Sequence, residues 1–370
     1  MNVAGQALRA LRAESQRSAV RVIDQRLLPH RLHTERLHTV QAVVTAIRDM
    51  WVRGAPLIGA TAAYGLALQC NVDASDAALE SAALQLRGSR PTAVNLMWAL
   101  DRMLALLRPA APGLRRQLAW DAADAIAEED VRVNEAIGLH GLVLLQAVAA
   151  RKRGKGGGKD AGPVNVLTHC NAGWLATVDW GTATSPIYQA HAAGVRVHVW
   201  VGETRPRNQG ASLTAWELGQ AGVPHTLVAD NAGGHLMQHG QVDLVLVGCD
   251  RVSARGDACN KIGTYLKALA AFDNGVPFYV AMPTSTLDMS LHDGLAQIPI
   301  EERSARELTH LHGRTAAGDV VEVCIAPEGT RAANPAFDVT PARLLSGFIT
   351  ERGIVAADEA ALRALMEKPS

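Results

Sequence analysis

The sequence predicts an α/β protein, with a mainly helical N-terminal domain followed by a three-layer domain around a mostly parallel sheet. Three observations carry this reading. First, five segments of the second half set an apolar, β-type run directly before a polar cluster. They are Val164–His169 before Cys170-Asn171, Arg196–Val201 before Gly202-Glu203-Thr204-Arg205, His225–Ala229 before Asp230-Asn231, Val242–Gly248 before Cys249-Asp250-Arg251, and Pro277–Met282 before Pro283-Thr284-Ser285-Thr286. Helix-length stretches separate them, which is the spacing of βαβ units. Second, the first half is dominated by Ala and Leu at helical spacing. Third, a run rich in Gly and Lys lies between the two patterns.

In chain order, Arg21–Leu28 reads as a short strand. Thr39–Trp51 reads as a helix, because Val40, Val43, Val44, Ile47 and Trp51 fall on one face. Helices are expected over Leu57–Leu68, Asp76–Leu86, Thr92–Leu107 and Leu114–Ala149, giving a helical domain over 1–150. Residues 151–163 form a linker or mobile loop, since glycine frees the backbone and the charges oppose burial. Their Gly/Lys content does not make a phosphate loop: the spacing GxxxxGK[ST] is absent and the segment precedes a strand. Residues 164–370 form the sheet domain. In open parallel sheets ligands bind beyond the carboxyl ends of the strands, so the polar clusters should converge on one pocket. Asp230–His235 reads as a glycine-rich loop, and Ile262–Phe272 as a helix.

Thirty-six basic residues balance thirty-six acidic ones, so no overall field favours nucleic acid or an anionic membrane. No uninterrupted apolar run approaches the ~20 residues that span a bilayer, and the N-terminus lacks an apolar leader, which makes the cytoplasm the expected compartment. The five cysteines, Cys70, Cys170, Cys249, Cys259 and Cys324, are odd in number and widely spaced, against a disulfide framework or a CxxC zinc site. A dinucleotide fingerprint, GxGxxG, follows none of the five strands. The domain is therefore Rossmann-like in alternation but carries a substrate site, with no cofactor and no metal expected.

Several motifs in the same order carry a family resemblance: Val52-Arg53-Gly54-Ala55-Pro56-Leu57-Ile58-Gly59, Arg90-Pro91-Thr92, THCNAGWLATVDWGTA (168–183), ETRPRNQG (203–210), GCDRVSARGDACNKIGTY (248–265) and NPAFDVTP (334–341). The chain closely resembles the family that joins methylthioribose-1-phosphate isomerases and other sugar-1-phosphate isomerases with the regulatory subunits of the translation-initiation guanine-exchange complex. The resemblance covers nearly the whole chain. It implies a helical domain before a Rossmann-like one, a homodimer, and an aldose–ketose isomerisation of 5-methylthioribose 1-phosphate in methionine salvage. Related activities on 5-deoxyribose 1-phosphate or ribose 1,5-bisphosphate, and a non-catalytic sugar-phosphate or nucleotide-binding regulator, are the competing readings.

The resemblance implies roles for residues already marked by position. Asp250 becomes the general acid and base, since apolar surroundings raise a carboxyl pKa and make it a proton donor. Taken alone, an Asp after a strand caps the turn that follows. Cys170 is the second catalytic candidate, either as a thiolate taking a proton or as a neutral thiol stabilising the transition state; a thiolate would need a nearby cation. Hydrogen transfer as a proton through an enediolate and as a hydride from C2 to C1 both fit this set. Cys249 and Cys259 read as small hydrophobes. Phosphate and sugar recognition falls to Arg53, Gly54, Ala55, Arg90, Gln209, Asn260 and Lys261, with guanidinium forks suited to phosphate oxygens. The bland alternatives are exposed loop charges for the arginines and a solvated helix start for Lys261. Glu203, Arg205 and Asp257 are expected behind these groups, His169 as a satisfied strand-end residue, and Trp174, Leu175 or Ile58 as an apolar wall for the 5-substituent.

Overall fold

The computed structural model describes residues 1–91, 93–154 and 162–367. Thr92 and most of the 151–163 linker therefore lie outside the described residues. The chain opens with a small hairpin, β1 (Asn2–Val3) and β2 (Gln6–Ala7), then an antiparallel sheet of β3 (Leu11–Ala13), β4 (Val20–Ile23) and β5 (Thr34–Leu37), of which only β4 coincides with a strand expected from the sequence. The expected strand at Arg21–Leu28 ends at Ile23, where Asp24 caps a tight turn by accepting from Arg26 N. Five helices follow as read: α1 (Val40–Arg48), α2 (Ala55–Val72), α3 (Asp76–Ser89), α4 (Val94–Leu107) and α5 (Pro112–Lys152). Thr39 and Ser75 cap α1 and α3 through their hydroxyls. α2 is buried on nearly all sides, because its Ala and Gly residues let α1, α4 and α5 close around it.

The second half alternates as expected: β6 (Val164–Thr168), α6 (Thr184–Ala192), β7 (Val197–Gly202), α7 (Ala215–Gln220), β8 (His225–Val228), α8 (Ala232–Gln238) and β9 (Leu244–Val247). The anticipated glycine-rich loop is thus partly α8. Leu236 and Met237 pack it into the core, and that packing overrides the weak helix propensity of Gly233 and Gly234. β10 (Arg251–Ser253), β11 (Ala258–Lys261), α9 (Thr264–Asp273), β12 (Phe278–Ala281) and β13 (Leu287–Asp288) come next. After two one-turn helices, α10 (Gly294–Gln297) and α11 (Arg306–Thr309), lie a hairpin of β14 (His310–Arg314) and β15 (Val320–Cys324), then β16 (Phe337–Thr340), β17 (Gly347–Thr350), β18 (Gly353–Val355) and α12 (Glu359–Glu367).

The main sheet has the order β18-β17-β12-β9-β6-β7-β8, parallel except for the antiparallel edge strand β18. Alternate residues face two cores. Val166, Leu244 and Leu246 join the core shared with the N-terminal helices, while Leu167, Val245 and Val247 join the core beneath α8, α9 and α12. Burial on both faces explains why these strands read as near-continuous apolar runs. A second sheet, β13-β10-β11-β16, begins one residue after Asp250. α5 ties the halves together against α6. At Gly138 a Cβ would stand 2.2 Å from Ser185 Oγ, so only glycine permits that approach. By length and composition α5 is the one helix among the described residues able to cross a membrane, although polar residues such as Glu135 and His140 interrupt its apolar stretch. Here it packs along α2, α4 and α6.

Candidate active site

The sheet order changes direction at its first strand. From β6 the chain steps outward through β7 to β8, then returns to β9 on the other side of β6 and continues to β12 and β17. Such a switch point is where open α/β sheets hold ligands. Cys170 follows β6 and Asp250 follows β9, so the two catalytic candidates flank it.

Cys170 is buried, with a left-handed backbone at φ +64°. Its N–H donates to Thr204 Oγ1 at 2.8 Å, and its carbonyl accepts from Thr214 Oγ1 at 2.7 Å. Thr204 is fixed in turn by Asp230, whose carboxylate accepts from the backbone N–H of Thr204 and Arg205 at 2.7 and 2.6 Å. Burial alone would raise Asp230; His169, Lys267 and these amides hold it down at about 2. His169 is a satisfied strand-end residue, 2.8 Å from the Ile262 carbonyl through Nε2, and burial lowers its pKa.

Asp250 is half-buried, and its N–H donates to Cys259 O at 2.9 Å, which joins it to β11. Burial raises its carboxyl above the usual range, against the opposing pull of Lys261, Arg90 and Arg53. Lys261, at the end of β11, is only 7% exposed, which removes the solvated reading. Burial lowers its ammonium, while Cys170 and Asp250 favour the charged form, and Arg53 and Arg90 oppose it. Four residues from both halves of the chain, Cys170, Asp250, Arg53 and Arg90, therefore lie within electrostatic reach of Lys261. Lys261 Nζ also sits 4.6 Å from the centre of the Phe337 ring. Its neighbour Asn260 is 5% exposed and donates to Thr264 Oγ1 at 3.0 Å. Cys249 and Cys259 have thiols pushed up chiefly by burial, which suits inert packing residues.

Arg53, Gly54 and Ala55 form the entry to α2. Gly54 has φ +93°, and a Cβ there would stand 2.3 Å from Ala176 O, so the helix start presses on the segment that follows Cys170. The Arg53 guanidinium donates to Asn171 Oδ1 and Asn171 O, both at 2.6 Å. Arg90, at the end of α3, donates to Glu301 Oε2 at 3.1 Å, and its buried Nε has no partner among the described residues. Gln209 is 5% exposed and its Oε1 is likewise unpartnered. Buried polar atoms without partners are uncommon, and a polar ligand reaching either group would satisfy it.

Sequence reasoning missed an ionic chain beside Arg90. Glu301 also accepts from Arg303, Arg303 donates to Glu307, and Glu307 accepts from Arg207 at 2.8 Å. The charge-rich stretch from Glu301 to Glu307 and the position of Arg207 within ETRPRNQG were the available signals. Asp257 does not reach the site: its carboxylate accepts from the backbone of Gly294 and Ala342. Arg205 reaches the carbonyls of Pro206 and Leu308. Trp174, Leu175 and Ile58 are each at most 2% exposed and belong to the core, so none presents an open apolar wall. A separate cleft of about 650 Å³ lies between the N-terminal strands and α5, but none of the site residues lines it, and its Arg9 and Arg17 are already paired with carboxylates.

These features define a polar, cation-lined candidate site at the switch point of a Rossmann-like sheet, and likeness to known proteins identifies the family. Residues 51–357 match the initiation factor 2 subunit family. The methylthioribose-1-phosphate isomerase of Rhodospirillum rubrum is 60% identical over 99% of this chain and 93% of its own length; that of Cereibacter sphaeroides is 59% identical over 99% and 98%. The crystal structure of 5-methylthioribose 1-phosphate isomerase from Pyrococcus horikoshii superposes with a TM-score of 0.83 at 40% identity, covering 98% of this chain and 96% of that one. The structure of translation initiation factor eIF-2B, subunit delta, from A. fulgidus gives 0.79 at 35%, covering 98% and 100%. The chain belongs to the initiation factor 2 subunit family, and within it to the methylthioribose-1-phosphate isomerases.

Proposed function

We propose that the chain converts 5-methylthioribose 1-phosphate into 5-methylthioribulose 1-phosphate, a step of methionine salvage, as a cytoplasmic homodimer. The observation that carries the chemistry is the pair Cys170 and Asp250 at the switch point, faced by Arg53, Arg90 and Lys261. Phosphate on the anomeric oxygen blocks opening to a free aldehyde. The ring C1–O4 bond must therefore break with O4 taking a proton, and a carboxyl whose pKa burial raises is suited to donate it. The hydrogen on C2 then moves to C1, and the C2 hydroxyl loses its proton to leave the ketone. That last proton returns Asp250 to its acid form, so the isomerisation closes without any outside reactant. Cys170 stands beside the reacting carbons, while Arg53, Arg90, Lys261, Asn260, Gln209 and the backbone of Gly54-Ala55 hold phosphate and sugar.

The likeness to an initiation-factor subunit favours a second reading, a regulator that binds sugar phosphate without turning it over. Purified protein incubated with 5-methylthioribose 1-phosphate, 5-deoxyribose 1-phosphate and ribose 1,5-bisphosphate, and followed for a new ketone, separates the two. Turnover with the highest kcat/KM on the methylthio sugar is expected. Tight binding with no turnover on any of the three would leave the regulator.

A further inference from the structure

Glu217 has no exposed surface and lies in α7, outside every motif that suggested the site. Its Oε1 accepts from Asn171 Nδ2 at 3.0 Å and Leu175 N at 2.9 Å; its Oε2 accepts from Trp174 N at 3.1 Å and the Tyr188 hydroxyl at 3.0 Å. All four partners are donors, so above a pKa that burial lifts to about 7 the ionised carboxylate, an acceptor only, satisfies them all. A buried carboxylate is costly without a countercharge. The nearest route to one runs through Asn171, which donates to Glu217 from its nitrogen and accepts both Arg53 contacts on its two oxygens. The amide is thereby fixed in one orientation, with its oxygen toward the guanidinium. Gly173 makes room for this, because a Cβ there would stand 1.6 Å from Glu217 Oε2.

We infer that Glu217 is a positioning residue that aims the Arg53 guanidinium at the substrate phosphate through Asn171, without itself touching substrate. The inference rests on the isomerase reading given above. Arg53 serves a charge present in the bound substrate and in the transition state alike, so misaiming it should raise KM more than it lowers kcat.

The test is steady-state kinetics on 5-methylthioribose 1-phosphate with Glu217→Gln, Arg53→Ala and the double variant, each checked by thermal melting. The Gln amide keeps the shape but can no longer accept from all four donors. Its KM should rise about tenfold, the scale of one lost hydrogen bond to a charged group, with kcat changed several-fold less. In the Arg53→Ala background Glu217→Gln should add less than about twofold, because the two changes remove one interaction. An unchanged KM, or a penalty that multiplies in full in the double variant, overturns the inference and leaves Glu217 a packing residue. Should Glu217→Gln fail to fold, Asn171→Ala decides in its place: it leaves Glu217 three donors, must reproduce the KM rise, and overturns the inference if it binds as wild type. Wild-type protein without turnover would sink the isomerase reading and this inference with it, whereas an active wild type with unaffected variants sinks only the inference.

Discussion

Replacing Gly54 by Ala adds one methyl group at a close backbone contact between the start of α2 and the segment after Cys170. Two costs follow from the geometry. The backbone at φ +93° lies where an L-residue is strained by roughly 1–2 kcal/mol. The new Cβ would also stand 2.3 Å from Ala176 O, 2.5 Å from Ala176 Cβ and 2.6 Å from Ala176 Cα, whereas real Cβ contacts essentially never fall below 3.0 Å. Ala176 sits in a buried turn, and the contacts are two backbone atoms and a Cβ fixed directly to the backbone, so it cannot swing aside as a flexible side chain would. Forced overpacking of this kind adds ~1–3 kcal/mol, for a total on the order of 2–5 kcal/mol. For a chain of 370 residues the melting temperature should then fall by roughly 3–6 °C. Catalysis should suffer further. The start of α2 carries Arg53, and the displaced segment carries Cys170 and Asn171, so relief of the clash separates groups that act together by most of an ångström. A shift of that size can cost about a hundredfold in kcat/KM. Thermal melts and steady-state kinetics read both effects, with Gly88→Ala as the control. Gly88 lies near the end of α3 with open space where its Cβ would go, and should be neutral or gain up to ~1 kcal/mol. If Gly54→Ala melts and turns over like wild type, the claim that this contact sets the site geometry is wrong.

Asp250→Asn and Cys170→Ser should lower kcat steeply with little change in substrate affinity, while Arg90→Ala and Lys261→Ala should chiefly weaken binding; near-wild-type kcat in Asp250→Asn would return that residue to a structural role. Stability should depend on pH through Glu217, whose pKa burial lifts from 4.5 to about 7. Between these values the folded protein holds a proton that the unfolded chain has released, so stability falls as pH rises, by up to ~1.4 kcal/mol per pH unit. Glu217→Gln should flatten that part of the denaturation-midpoint profile, and an unchanged slope would contradict the assignment. Light scattering should give the mass of a dimer, and a monomer at working concentration would reject that part of the proposal.

Five of the seven strands of the main sheet, β6 to β9 and β12, were legible because they are apolar runs, most of them buried, that end abruptly in polar residues, whereas β17 and β18 were not read. The long helices α2 to α5 were legible from composition, long stretches rich in Ala and Leu, the residues that lose least on entering a helix. β10, β11 and β13 were not: Arg251–Ser253, Ala258–Lys261 and Leu287–Asp288 are two to four residues long and mix polar with apolar, so no period exists to detect. That sheet nevertheless carries Asn260 and Lys261, which only the family resemblance had marked. β1, β2, β3 and β5 escaped for the same reason, whereas β4 overlaps the strand read at Arg21–Leu28. Glu217 was illegible in a stronger sense. Nothing local distinguishes it from a solvated helix glutamate, and its burial is decided by the loop 171–175, some forty residues upstream.

The charges of the site also imply how substrate and acid act on each other. Burial raises the Asp250 carboxyl, and the cations that would later hold a phosphate, Lys261, Arg90 and Arg53, are what pull it back down. A bound phosphate dianion offsets those cations. It therefore weakens the terms that favour the carboxylate and leaves burial in control, so that substrate binding strengthens the protonated form needed to open the ring. The same dianion favours the charged form of Lys261, whose ammonium burial lowers in the free protein. Both effects have one sign. The basic limb of kcat, which reports the complex, should then lie at higher pH than the basic limb of kcat/KM, which reports the free enzyme. Coincident limbs, or the reverse order, would mean that the phosphate sits too far from Asp250 and Lys261 to govern either, and the shared site drawn around them would have to be divided.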